Sequence, residues 1–321
     1  MAQWRMWDDT IEAQRPEARA AVAAGIGAIG ALLGRDLDPP ADPVERARQS
    51  RERYAAGYAP SDEMQARTIA GVPCRVFVPD GPARAVYLHF HGGGMVTGAP
   101  EMNDLGNVML GRAFGLAVVS VDYRLAPEHP WPAGPDDGVA VAGWLGEHAR
   151  AEFGTDRLIL GGESAGGYMA AAVLLRLRDE LGIADRVLGA NLVFGVFDWG
   201  RSPSQRGVRP HEGPDVLDPE GMRWFADCYL PGRTDDERRD PAISPAFADL
   251  SDLAPALFSV GTTDHLLDDT LTTAARWSAF GNDTEVFVAP DMPHAFMAFP
   301  CGITDAWTAT LGAWLTRILD R

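Results

Sequence analysis

Lysine is absent from this chain: all 28 basic residues are arginine. Without a lysine amine there is no Schiff base to a carbonyl substrate or to pyridoxal phosphate, and no phosphate-cradling P-loop lysine. Cysteine is scarce. Cys74, Cys228 and Cys301 are odd in number, far apart and without a CxxC pair, which argues against a disulfide framework or structural zinc and fits a reducing cytoplasm. Long apolar runs are missing too. The longest weakly polar stretch, Val22 to Gly34, is rich in alanine and glycine and too short to cross a bilayer core of about 30 Å as a helix. The start, MAQWRMWDDTIEAQ, has no basic region followed by an apolar run, so no secretory leader is expected. Positive charge is also short: 28 basic against 45 acidic residues leave a net −17. Such a chain repels phosphate backbones and anionic lipid, so neither a nucleic-acid nor a membrane partner is expected.

What is present suits a sizeable core. The chain has 321 residues, 46% hydrophobic and 23% charged, enough for two domains or for one large α/β domain with an accessory layer. The first 60 or so residues read as helical. Thr10 to Leu33 is alanine-rich, Asp42 to Tyr54 carries an arginine–glutamate pattern, and Asp38-Pro39-Pro40 breaks the chain between them. Next, Arg67–Ala70 and Arg75–Val78 flank Gly71-Val72-Pro73 and read as a hairpin. Strand-like runs then alternate with helical stretches. The strands are expected at Ala85–Phe90, Leu116–Val121, Arg157–Leu160, Leu188–Phe194, Ala256–Val260 and Glu285–Val288. Helices are expected at Met102–Phe114, Gly138–Arg150, Ala165–Leu181, Asp268–Phe280 and Thr304–Leu319. This alternation implies a mostly parallel sheet covered on both faces. Residues Phe197 to Leu253 interrupt the rhythm with turn residues and scattered aromatics, and a loop of that length is usually functional or a subdomain.

The strongest chemical signal is Gly162-Glu163-Ser164-Ala165-Gly166-Gly167, between a predicted strand and a predicted helix. G-x-S-x-G in that setting is the nucleophile elbow of α/β-hydrolases: a sharp turn that lifts the serine hydroxyl clear of the sheet. The second signal is His91-Gly92-Gly93-Gly94, directly after a predicted strand. A glycine run can bring bare amides to a substrate carbonyl, completing an oxyanion hole with the amide of Ala165. His91 reads as an anchor for that loop, and His89 as a packed strand residue.

With these motifs in order, and with Asp122-Tyr123-Arg124-Leu125-Ala126-Pro127-Glu128 and the Pro130–Pro132 turn, the chain resembles the hormone-sensitive-lipase family of bacterial esterases over roughly residues 65 to 320. The resemblance implies an α/β-hydrolase fold: a mostly parallel central sheet flanked by helices. It also implies a helical cap formed by the N-terminal helices (1–60) and an insertion after the sixth strand (197–253). The core would then comprise 61–196 and 254–321, with the Asp122–Glu128 tract supporting the oxyanion loop.

A serine needs a general base and the base an orienting carboxylate, in the chain order Ser, Asp, His for this fold. His294, in Asp291-Met292-Pro293-His294-Ala295-Phe296, stands where the family places its base, with Ala295 in place of the usual glycine. Asp264 follows a predicted strand and is the expected acid, although Asp264-His265-Leu266 replaces the family's Asp-Pro-Leu. Asp268, Asp269 and Asp291 remain open as substitutes. Gly25-Ile26-Gly27-Ala28-Ile29-Gly30 matches a dinucleotide fingerprint letter for letter, but no strand precedes it, and small residues on a closely crossing helix explain it better.

The expected function is that of a serine carboxylesterase acting on short- to medium-chain esters through an acyl-enzyme. Ser164, Asp264 and His294 are catalytic, and Gly92, Gly93, Gly94 and Ala165 line the oxyanion hole, with neither cofactor nor metal. The same machinery could open a lactone, amide, carbamate or thioester, and a non-catalytic small-molecule-binding protein on this scaffold is the rival from another class. The expected partner is a small-molecule ester. Aromatics of the insertion, with Trp4, Met6 and Trp7, could line its pocket. Whether the chain forms a homo-oligomer is left open.

Overall fold

The computed structural model of the protein describes residues 6–33, 40–208 and 215–321. Eight strands form one sheet: β1 (Gln65–Ile69), β2 (Val72–Phe77), β3 (Ala85–Phe90), β4 (Leu116–Val121), β5 (Leu158–Glu163), β6 (Val187–Val193), β7 (Ala256–Gly261) and β8 (Thr284–Ala289). Their spatial order is β1-β2-β4-β3-β5-β6-β7-β8. β2 pairs antiparallel with β1 and β4, and every other pairing is parallel. This is the α/β-hydrolase fold that the family resemblance implied, with the mostly parallel sheet expected from the strand–helix alternation.

The central parallel strands are mostly apolar because both sheet faces are covered, and their polar residues His89, Ser120, Asn191 and Ser259 are buried with the rest. In β3, Val86, Leu88 and Phe90 face one core, shared with α5 (Ala133–Phe153), α6 (Ala165–Arg176) and α8 (Leu267–Ala279). Ala85 and Tyr87 face the other, shared with α4 (Asp104–Phe114) and α9 (Gly302–Leu319). Three further helices, α1 (Asp9–Ala13), α2 (Arg15–Leu33) and α3 (Pro43–Ala56), precede the sheet. Among the described residues, no helix is long and apolar enough to cross a membrane.

Several boundaries differ from the sequence expectation for identifiable reasons. The β1–β2 turn uses only Ala70 and Gly71, both at positive φ, the two-residue geometry that matches the twist of a hairpin. Val72 and Pro73 therefore belong to β2, where Pro73 precedes the first residue paired with β4. Helix α5 starts at Ala133 rather than Gly138, because Pro135 lies in its first turn, where no intrahelical donor is needed. The stretch expected as one helix to Leu181 ends as α6 at Arg176 and continues as a π turn closed by left-handed Gly182.

The insertion contains no strand among its described residues, but it does contain α7 (Pro219–Tyr229). Asp218 caps that helix by accepting from the Gly221 amide, with Pro219 in the first turn. The same Asp-Pro start opens α3 at Asp42. The glycine fingerprint of residues 25–30 lies inside α2, and a Cβ at Gly25 would stand 3.0 Å from the Phe299 ring. The small residues there let the helix approach its neighbour.

Candidate active site

Ser164, His91, Asp264 and His294 all follow the carboxyl ends of parallel strands, β5, β3, β7 and β8 respectively, where open α/β sheets place their ligands. Ser164 joins β5 to α6 with φ 58° and ψ −118°, a backbone strained for a residue with a side chain. The turn is held by close approach on both sides. A Cβ at Gly162 would lie 2.2 Å from the Phe90 carbonyl oxygen, and one at Gly166 would lie 1.9 Å from it. Ala165 is the first residue of α6, so its amide has no acceptor within the helix.

His294 Nε2 lies 3.0 Å from Ser164 Oγ, and His294 Nδ1 lies 2.9 Å from Asp264 Oδ2. Asp264 is fully buried, and its Oδ1 accepts from the Leu266 amide. A carboxylate at Nδ1 favours the tautomer that carries its proton there, leaving Nε2 to accept from the serine. Ala295 takes a left-handed conformation, φ 56°, the region glycine enters at least cost.

The carboxylates that competed with Asp264 are engaged elsewhere. Asp268 accepts from the Ser204 amide. Asp269 accepts from the amides of Phe197 and Asp198, from Ser202 Oγ and from Gln205 Nε2, so it organises the start of the insertion. Burial pushes its carboxyl up to about 7, against the opposing pull of Ser202 and Gln205. Asp291 receives Arg15 and Arg19 of α2. Burial alone would raise its carboxyl, but those two guanidiniums outweigh burial and hold it below its ordinary value. His265 faces Ser204 and Asp215.

The glycine loop passes directly over the nucleophile: a Cβ at Gly92 would be 3.6 Å from Ser164 Cβ. Gly93 has φ 123°, and a Cβ there would meet the Thr97 carbonyl oxygen at 2.1 Å. The loop folds on itself, with the Thr97 amide donating to Gly93 O at 2.8 Å. His91 is fully buried, and its Nδ1 donates to Gly92 O at 2.7 Å. Burial drives its imidazole pKa down to about 3, so the ring is neutral. Tyr123 stacks on it at 4.3 Å and donates to His91 O, while the Ala126 amide donates to Met95 O. The Asp122–Glu128 tract thus braces the loop. His89 does more than pack: Nδ1 meets Ser120 Oγ at 2.8 Å, and Nε2 meets Glu163 Oε2 at 3.2 Å.

A cavity of about 600 Å³ opens above Ser164 and His294. Its walls come from α2, α3 and α7 as well as from the glycine loop. Trp199, Trp224 and Phe225 of the insertion line it. Tyr229 instead is buried against Tyr168, hydroxyl to hydroxyl at 2.9 Å. Trp7 donates to Glu12 on the outside, Met6 is not among the lining residues, and Trp4 lies outside the described residues. The expected N-terminal cap includes α3, but the expectation named no α3 residue as lining the pocket, where Arg46, Gln49, Ser50, Arg53 and Tyr54 stand. The signal for them was an arginine-rich helix in a chain whose other charges are mostly acidic.

The profile of the α/β-hydrolase-fold family matches residues 87–298. The carboxylesterase NlhH of Mycobacterium tuberculosis is 34% identical over 283 residues, covering 83% of this chain and 86% of that protein. The esterase LipI of the same organism is 34% identical and covers 72% of each chain. The crystal structure of a hormone-sensitive lipase from a metagenome library superposes with a TM-score of 0.75 at 29% identity, covering 91% of this chain and 97% of the other. By motif order, sheet topology and these relationships, the chain belongs to the hormone-sensitive-lipase family of the α/β-hydrolase fold.

Proposed function

We propose that the protein is a serine carboxylesterase in which Ser164, His294 and Asp264 form the catalytic relay. The observation that carries this reading is the continuous chain of contacts, 3.0 Å from Ser164 Oγ to His294 Nε2 and 2.9 Å from His294 Nδ1 to Asp264 Oδ2. Ester hydrolysis is supported by the carboxylesterase and esterase relatives.

In this mechanism Ser164 Oγ attacks the acyl carbonyl as its proton passes to His294 Nε2. Asp264 keeps the imidazole oriented and stabilises the imidazolium. The tetrahedral oxyanion is held by the Ala165 amide and by amides of Gly92, Gly93 and Gly94, fixed before the substrate arrives. His294 then protonates the leaving alcohol, and water, activated by the same imidazole, releases the acid from Ser164. The preference for short to medium acyl chains rests on the family resemblance and on a cap that closes over the site, with α2, α3 and α7 walling the cavity. Residues 1–60 and 197–253 act as a two-part cap over a core of 61–196 and 254–321, a division supported by the cavity walls from α2, α3 and α7. We also propose a cytoplasmic location, supported by three buried, unbridged thiols.

The test is Ser164→Ala assayed with p-nitrophenyl acetate and butyrate. The variant is expected to fold and to lose turnover, and full activity in it would overturn the assignment. A series of longer acyl chains checks the cap argument, which fails if the rate peaks at twelve carbons or more.

A further inference from the structure

Helix α3 carries four arginines, and they divide by the side they face. Arg48 lies between Glu45 and Glu52, and Arg51 grips Glu128. Arg46 and Arg53 line the cavity, and neither has a carboxylate within ion-pair distance among the described residues, in a chain with 45 acidic residues. Arg46 lies over the Trp224 ring, with Cζ 4.2 Å from its centroid. Arg53 has no such partner. Its Nη2 donates to Ser50 Oγ at 2.9 Å, and its Nε is buried with no acceptor among the described residues.

The cavity face of α3 reads Arg46, Gln49, Ser50, Arg53, Tyr54, spaced as one stripe of a helix. An apolar ester would be served by leucines at these positions, yet every one is polar or cationic. The remaining wall, including Trp199, Met222 and Phe225, supplies the apolar surface. Three carboxylates line the cavity, and among the described residues none pairs with Arg46 or Arg53. Glu163 is held by His89 and Asn103, Asp218 caps α7, and Glu220 lies in the first turn of α7. A guanidinium with unused donors in a walled cavity matches a planar carboxylate, which it can receive with two parallel hydrogen bonds.

We propose that Arg53 forms an anion subsite within the ester cavity, receiving a carboxylate that the substrate carries away from its scissile bond. The substrate class is therefore carboxylate-bearing esters, such as half-esters of dicarboxylic acids. This rests on the serine-esterase reading of the same cavity. The carboxylate belongs to either the acyl or the alcohol half, and the two halves are separated by experiment.

The acyl arm compares 4-nitrophenyl hydrogen glutarate with 4-nitrophenyl pentanoate, and the alcohol arm compares 3-carboxypropyl butyrate with butyl butyrate. In one arm the anionic ester is expected to exceed its neutral partner in kcat/KM by about 10- to 100-fold, the range for a hydrogen-bonded charge, and mainly through KM. Arg53→Gln is expected to abolish that ratio and Arg53→Lys to keep part of it. Added salt is expected to raise KM for the anionic ester alone. A neutral ester preferred in both arms, or an Arg53→Gln variant that keeps the wild-type ratio, overturns the proposal. Should Arg53→Gln fail to fold, Arg53→Lys and the salt series decide.

Neutral-ester turnover in wild type against Ser164→Ala tests the esterase reading separately. If no ester is turned over, calorimetric titration of wild type and Arg53→Lys with hydrogen glutarate monomethyl ester and with 3-carboxypropyl butyrate, one probe for each half, still reads the subsite. Salt-sensitive binding weakened by the substitution supports it, and no binding sinks it.

Discussion

Arg51 and Glu128 form a two-pronged ion pair, Nη1 to Oε1 at 2.8 Å and Nη2 to Oε2 at 2.7 Å. The same guanidinium donates through Nε to Val96 O and through Nη2 to Ala126 O, both at 2.8 Å. One side chain of α3 thus ties a helix outside the sheet to the segment after the glycine loop and to the tract that braces it. The pair is partly exposed and worth about 0–1 kcal/mol alone, so most of the effect comes from the two carbonyl bonds. Arg51→Ala is expected to lower kcat about tenfold together with the melting temperature, if misplacing the oxyanion amides carries the penalty. Arg51→Lys cannot reproduce the fork and should recover little. Ester kinetics alongside thermal melts check this, and an unchanged kcat in Arg51→Ala rejects it.

Two buried aspartates five residues apart should fail in different ways. Asp264→Asn removes the acceptor that sets the His294 tautomer and is expected to cost about 10⁴-fold in kcat with the fold retained. Asp269→Asn leaves donors of the insertion without their acceptor and is expected to cost about 3 kcal/mol of stability, with kcat per folded molecule within about tenfold of wild type. Denaturant melts and active-site titration separate the two losses. The reverse pattern would move the acid of the relay from Asp264 to Asp269.

Gly93 and Gly71 both have positive φ, but only Gly93 is crowded by backbone. Gly93→Ala must displace Thr97 and with it the loop amides, for an expected loss of about 100- to 1,000-fold in kcat. Gly71→Ala faces open space at the hairpin, and should cost about 1 kcal/mol of stability without touching turnover. Equal kinetic effects of the two would remove the loop from the oxyanion site.

Two fully buried groups contribute to the pH dependence of stability in opposite senses. The His91 pKa lies at about 3 in the fold, below its ordinary 6.5. Its stabilising contribution is therefore complete above pH 6.5 and is lost on acidification towards 3, by up to about 1.4 kcal/mol per pH unit. Asp269, raised from 3.8 to about 7, acts in the other sense: the fold holds its proton more tightly, and stability falls as pH rises from 4 to 7. Between pH 4 and 6.5 the slopes oppose. Asp269→Asn removes one of them, so its stability should fall more steeply with acid than that of wild type. Denaturant melts over this window check the slope, and NMR should show the His91 ring neutral down to pH 4. Parallel slopes in the two proteins would contradict the account.

The sheet was legible because its signals are local and periodic. Strand runs with both faces buried are mostly apolar, and left-handed Gly115, Gly154 and Gly182 close helical stretches between them. Elements were misjudged where the local signal conflicts with its setting. The helix expected from Gly138 begins at Ala133 with Gly134 and Pro135 in its first turn, and Gly71-Val72-Pro73 reads as a turn although Ala70 and Gly71 suffice. Helix α7 was overlooked among turn residues, although Asp218-Pro219 announces it as Asp42-Pro43 announces α3.

Residue types and chain order by themselves determined that a serine on a tight turn, a glycine loop and a late histidine were available, because the elbow and the loop each work within a few residues of backbone. Only the tertiary structure decided which carboxylate meets His294. Asp264, Asp268, Asp269 and Asp291 are alike in charge and close in sequence, and they are told apart by which donors the fold delivers to each. The same holds for the arginines of α3. Their spacing marks two sides of a helix, but whether a side faces carboxylates or a cavity depends on what packs against it from elsewhere in the chain.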